Sequence, residues 1–260
     1  MNEVIKSKLL SCVSFLSLIW RMIPCKAREI LMVGQLLLES RDRNPSKGLA
    51  RLFLIRDRLD WIINKRAMEY GNGEHPKHRL IGYHNFFVNR IANGQNVIDL
   101  GCGYGAVARS IAIAYPSSIV IGIDQDKGRL KQAVKNNALP NLSFFEGDAT
   151  KYLPLPEVKW DIVVLSNILE HINERVIFLK KIQKSIKASR YLIRVPMFER
   201  DWQMAMRKEL TVDFRSDLDH KIEHTFEEFE FEISQSGLSI SEVVMKWGEI
   251  WADCYISKTL

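Results

Sequence analysis

The chain has 260 residues, 47% of them apolar, and 37 Lys and Arg against 31 Asp and Glu give a net charge of +6. That length and apolar content suit one α/β domain of ordinary size plus an appendage, and they exclude an intrinsically disordered chain. Four cysteines, at positions 12, 25, 102 and 254, share no metal-like spacing. This argues against a disulfide framework or a zinc site and fits a reducing cytoplasm.

Lys6 and Lys8 precede the apolar run Leu9 to Trp20, which imitates a secretory signal. The run has no small-x-small cleavage site, Arg21 closes it, and it falls short of the roughly 20 apolar residues that a bilayer span needs. Leu9, Cys12, Val13, Leu16, Ile19, Trp20 and Ile23 recur at helical spacing. Residues 1–24 are therefore expected to bury a helix face against the protein, against a second subunit in a homodimer, or in the interfacial layer of a membrane. Residues 1–77 read as an all-helical appendage broken at Arg41–Gly48, where Asn44-Pro45-Ser46 makes a turn and Ser46 is placed to cap the next helix. Lys47, Arg51, Arg56, Arg58, Lys65 and Arg66 cluster here, a pattern better suited to a solvated helix face than to a nucleic-acid groove.

Asn72–Lys77 is the expected linker, and residues 78–260 the second domain. His78 to Ile91 is predicted as one helix, bearing Arg79, Tyr83 and His84, that feeds the first strand. Val97 to Ala106 is the most informative stretch: apolar residues and Asp99 lead into Gly101, Gly103 and Gly105. This describes a buried strand, a turn too tight for side chains, and a helix whose exposed N–H groups can hold a carboxylate or phosphate. Gly101-x-Gly103-x-x-Ala106 also satisfies the dinucleotide fingerprint, so glycine spacing leaves NAD and S-adenosylmethionine open. Asp99 would repel a pyrophosphate but can bind the ammonium of an amino-acid cofactor, directly or through water. That favours S-adenosylmethionine.

At this point the chain resembles the class I S-adenosylmethionine-dependent methyltransferases, in which an acid precedes Gly-x-Gly-x-Gly. The resemblance covers roughly residues 78–258. A second strand, Ile119–Ile123, ends in Asp124, 21 residues after Gly103, the distance at which a βαβ acid meets ribose hydroxyls, with Gln125 beside it. Leu142–Phe145 is a third strand running into Glu146-Gly147-Asp148-Ala149, and the family's acid for the adenine amino group falls on Asp148. A fourth, Trp160–Leu165, leads to Ser166-Asn167-Ile168-Leu169-Glu170-His171, similar to a run in small-substrate members of the family. The resemblance thus implies cofactor contacts from Tyr83, Asp99, Gly101, Gly103, Gly105, Asp124, Gln125, Asp148, Ala149 and Asn167.

Helices at Asp126–Asn137 and Ile172–Ile186, a fifth strand at Ser189–Val195, a helix at Glu227–Ser236 and strands at Leu238–Val244 and Ile250–Ile256 complete the pattern. The expected fold is α/β and Rossmann-like: a seven-stranded, mostly parallel sheet with helices on both faces and an N-terminal helical appendage.

The expected reaction is in-line transfer of a methyl group to an oxygen or nitrogen of a small molecule. His171, at the carboxyl edge of the sheet, is the candidate base for a hydroxyl acceptor. Arg194–His224 is the candidate substrate wall, with His220 or His224 as a second base. His220-x-x-Glu223-His224 matches the short inverted-zincin pattern, but five residues match easily by chance, and the sequence is assigned no metal. The alternatives are a non-catalytic cofactor-binding scaffold subunit and an RNA or protein methyltransferase. Nucleobase amino methylation resembles Asp/Asn-Pro-Pro-Tyr/Phe where this chain has Ser166-Asn167-Ile168-Leu169. Nicotinamide oxidoreduction is the weakest alternative.

Overall fold

The computed structural model describes residues 16–72, 75–136, 138–151, 153 and 155–257, in two compact units. One comprises the described residues up to Arg66 together with Glu209–Val212; the other comprises Ala67–Lys208 and Asp213 onward.

The first unit is helical. Helix α1 is described over residues 16–22, α2 is Cys25–Ser40, and α3 is Pro45–Tyr70, which continues into the second unit. Of the stripe expected to bury residues 1–24, Leu9, Cys12 and Val13 lie outside the described residues, while Leu16, Ile19 and Trp20 are exposed. The break before α3 falls where expected, but Asn44 makes the cap: Pro45 takes the first helical position, and Asn44 Oδ1 accepts from Ser46 N at 3.0 Å. Among the described residues no helix is long and apolar enough to cross a membrane.

The second unit is built on a seven-stranded sheet. Its strands are β1 (Val97–Leu100), β2 (Val120–Asp124), β3 (Leu142–Glu146), β4 (Ile162–Ser166), β5 (Arg190–Pro196), β6 (Leu238–Lys246) and β7 (Glu249–Ile256), in the order β3-β2-β1-β4-β5-β7-β6. The first five are parallel, and β7 runs antiparallel to both neighbours. Alternation along the strands divides the core. Ile98, Leu100, Val163, Leu165 and Ile193 face α8 (Arg175–Ile186) and α10 (Phe226–Gln235), whereas Val97, Ile162, Val164 and Leu192 face α5 (Tyr83–Val88) and α6 (Ala106–Ala114). Strand order reverses between β1 and β4, which opens a crevice at their carboxyl ends.

Local chemistry sets the element ends. Asp126 Oδ1 accepts from Gly128 N and Arg129 N to start α7 (Lys127–Asn136), and Thr225 with Glu228 forms a capping box on α10. The single helix expected over His78–Ile91 is instead two, α4 (Lys77–Ile81) and α5, because Gly82 takes φ +64° and its N–H closes back on His78 O. Helix α8 starts three residues later than expected, since Leu169–His171 forms its own 3₁₀ turn first.

Candidate active site

Gly101, Gly103 and Gly105 all adopt left-handed φ, at +68°, +55° and +75°. At Gly101 a Cβ would also meet Ile168 Cδ1 at 2.8 Å, whereas at Gly103 the space where a side chain would project is open. The turn is thus tight underneath and bare on the side from which a ligand approaches.

Asp99 lies at the end of β1 with only 2% of its surface exposed. Burial pushes its carboxyl up to about 7, against a backbone hydrogen bond from Ala108 and with a further push from Asp124. Asp124 is held by two backbone donors, Gly103 N to Oδ2 and Asp126 N to Oδ1, both at 2.8 Å. Its carboxylate thereby locks the glycine turn to the end of β2. Burial next to both acids pushes the Cys102 thiol up, so it remains protonated.

Two adjoining cavities open along the strand ends. One of about 750 Å³ is lined by Asp99, Gly101, Tyr83, Asn167 and Arg194, among others. The other, of about 530 Å³, is lined by Gly101, Asp124, Gln125, Asp148, Ala149, Asn167 and His171. Gly101 and Asn167 belong to both, so the two form one cleft. Gly103 and Gly105 are not among the lining residues of either cavity. Asp148 is engaged locally: Thr150 donates to its Oδ1 through N and Oγ1, and Lys151 lies 3.1 Å from Oδ2.

Asn167 is left-handed at φ +56° without being glycine, and its Oδ1 is buried with no hydrogen-bond partner among the described residues.

A polar layer supports the first cavity, and of its members sequence reasoning named Arg194 and Tyr83 but not Glu249, Trp251 or His78. Arg194 is buried, pairs with Glu249 through Nε at 2.7 Å and Nη2 at 2.5 Å, and stacks 4.0 Å from the centre of the Tyr83 ring. The Tyr83 hydroxyl meets His78 Nδ1 at 2.7 Å, and Trp251 Nε1 donates to Glu249 at 2.8 Å. Arg194 meets Glu249 and Tyr83 only across long sequence separations, since the layer is assembled from α4, α5, β5 and β7. His84, by contrast, turns to Ser110 on α6 and lines neither cavity.

The segment after β5 folds over the sheet edge. Met197 and His224 form a parallel bridge, and Lys221 N donates to Glu170 O at 2.6 Å. The two histidines of the His-x-x-Glu-His run separate. His224 Nε2 points to Glu232 Oε2 at 3.0 Å, while His220 packs edge-on against His171 with ring centres 4.7 Å apart. Burial works against ionising Glu232, but His224 and Arg175 outweigh it and hold the carboxyl down at about 2. Burial, followed by the neighbouring His171, lowers the His220 imidazole. His171 Nδ1 lies 3.1 Å from Asp219 Oδ2.

Glu170, beside His171 in the 3₁₀ turn, is fully buried, which pushes its carboxyl up to about 8. An unfolded glutamate ionises near 4.5, so between those values the folded state keeps a proton that the unfolded state has lost, and stability falls as pH rises through the window. The Glu170→Gln variant is therefore expected to lose less stability than the parent between pH 5 and 8, by at most about 1.4 kcal/mol per pH unit. Urea melts across that range check this, and parallel curves for the two proteins would count against it.

The methyltransferase domain family Methyltransf_25 matches residues 97–189, the span from β1 through β4 to the start of β5. Residues 97–189 are thus similar to a methyltransferase domain, and the rest of the chain lies outside that match. N-methyltransferase 4 of Papaver somniferum is 31% identical over 101 residues, 38% of this chain and 28% of that protein. A ribosomal protein L11 methyltransferase of Neisseria meningitidis is 33% identical over 115 residues, 42% of this chain and 36% of that protein. The matched part is thus about a third of each relative's length. Among solved structures, the DhpI–SAH complex shares the fold with a TM-score of 0.54 and 19% identity, covering 75% of this chain and 94% of its own.

Proposed function

We propose that this chain transfers a methyl group from S-adenosylmethionine to an oxygen or nitrogen of a small molecule. The observation that carries the reading is the cleft floor: a left-handed glycine turn between the buried carboxyls of Asp99 and Asp124, in a cleft that Asn167 also lines. These residues fit the cofactor. Asp99 suits its ammonium and the bare face at Gly103 admits close backbone approach. Each Asp124 oxygen keeps a lone pair for a ribose hydroxyl beside Gln125, and Asp148 with Ala149 suits the adenine end. Tyr83, clamped beneath Arg194, forms the wall of the first cavity.

When bound, the cofactor supplies a methyl group on a sulfonium that is already a good leaving group. The protein's work is then alignment, for which holding two reactants in line can contribute up to about 7–11 kcal/mol. His171, close to Asp219 and lining the second cavity, is the residue placed to serve the acceptor.

Calorimetric titration with S-adenosylhomocysteine tests the cofactor site. One site per chain is expected, with Asp124→Ala weakening it at least tenfold, and equal affinity for variant and parent would sink the assignment. Incubation of the protein with methyl-labelled cofactor and a cell extract then tests the acceptor class. Label should enter the small-molecule fraction; incorporation only into RNA or protein would replace this reading with another.

A further inference from the structure

Sequence spacing paired His220 with His224, but the fold pairs His220 with a different partner set. One ligand atom each from Glu170, His171 and His220 lies within 4.8 Å of the others, although the residues come from two segments some fifty positions apart. Both Glu170 oxygens are buried with no hydrogen-bond partner among the described residues, and His171 Nδ1 has the Asp219 carboxylate 3.1 Å away. Burying an ionised carboxylate without a partner costs several kcal/mol in general, so such groups stay neutral, are paired, or bind a metal ion. His220 is oriented from behind: its Nδ1 faces Glu223 Oε1 at 3.2 Å, and Glu223 is itself fixed by Arg200 and Ser216 N. A carboxylate behind an imidazole is the arrangement that presents the opposite ring nitrogen to a cation.

We propose that Glu170, His171 and His220 bind a divalent first-row transition cation at the acceptor end of the cleft. Two imidazoles and one carboxylate favour zinc, cobalt, nickel or iron over magnesium and calcium, which prefer oxygen ligands throughout. Three protein ligands leave coordination positions open, and His171 lines the same cavity as Asp124 and Asn167. Resting on the methyl-transfer reading, this narrows the acceptor to a molecule that offers the cation an oxygen, a hydroxyl or carboxylate. His171 then acts as a ligand instead of a free base.

The test uses Co²⁺ added to the full chain without affinity tag or cofactor, read by calorimetry and by visible absorption of the bound ion. One equivalent is expected, with affinity at least thirtyfold weaker in Glu170→Gln and in His171→Asn but unchanged in His84→Gln, whose ring sits against α6. Circular dichroism confirms that each variant is folded. Absence of binding, or binding that both site variants retain, overturns the cation site. In the labelling assay, chelation should abolish methyl transfer and Co²⁺ restore it; transfer indifferent to chelation removes the acceptor's link to the cation. Co²⁺ bound by a chain that ignores S-adenosylhomocysteine would instead defeat the methyl-transfer reading and leave the cation site standing.

Discussion

Arg194→Ala is expected to lower the stability of the protein by about 3–5 kcal/mol, the usual cost of removing one partner of a buried ion pair. The reason lies in what stays behind. Glu249 keeps only the Trp251 indole donor, while both of its guanidinium hydrogen bonds vanish and its carboxylate remains largely out of solvent. The Tyr83 ring simultaneously loses the cation stacked on its face, about 1–2 kcal/mol in a desolvated setting and partly contained in the same figure. At about 2–4 °C per kcal/mol for a chain of this size, the melting temperature should fall by roughly 10 °C. A double variant, Arg194→Met with Glu249→Met, should melt above the Ala single variant because no charge is left unpaired. Differential scanning calorimetry of the three proteins decides it, and an Ala variant melting within about 2 °C of the parent would refute the account.

That prediction could not have been written from the sequence, and the reason is physical. The cofactor end was readable because its determinants are local: Asp99 and the three glycines sit within seven residues, and Asp124 follows at the fixed separation of a βαβ unit. Strand positions were readable for the same reason, since Ile98 and Leu100 alternate with Val97 and Asp99 on opposite faces. The shifts at element ends came from single atoms, such as the Asn44 side chain that caps α3 and the left-handed Gly82 that splits α4 from α5.

The acceptor end is assembled differently. His220 and His224 looked like a pair because four residues separate them, but they lie in a segment that is not a helix, so the i, i+4 geometry never forms. The bridge between Met197 and His224 turns one histidine toward Glu232 and leaves the other against His171. Arg194 and Glu249 meet only because β7 runs antiparallel beside β5, a pairing that places Arg194 opposite Trp251. Long-range register is what the one-dimensional pattern carries least well.

Affinity for S-adenosylhomocysteine is expected to strengthen as pH rises from 5.5 to 7.5, by up to about tenfold per unit. Burial, helped by Asp124, raises the Asp99 carboxyl to about 7, so below that value the group is protonated in the free protein. An ammonium ligand favours the ionised form, so binding at pH 6 must release that proton, and the linkage makes the complex weaker as pH falls. Two consequences separate this mechanism from a general loss of structure. Calorimetry in buffers of different ionisation enthalpy should count close to one proton released at pH 6 and far less at pH 8. Asp99→Asn should flatten the profile and cost about 10–100-fold in affinity at pH 8, the worth of a charge-assisted hydrogen bond. Asp124→Asn should move the break to lower pH, because it removes the like charge that helps raise Asp99. A dissociation constant that stays flat from pH 5.5 to 7.5 in the parent protein would detach Asp99 from the ammonium and leave its burial beneath the glycine turn as a structural feature alone.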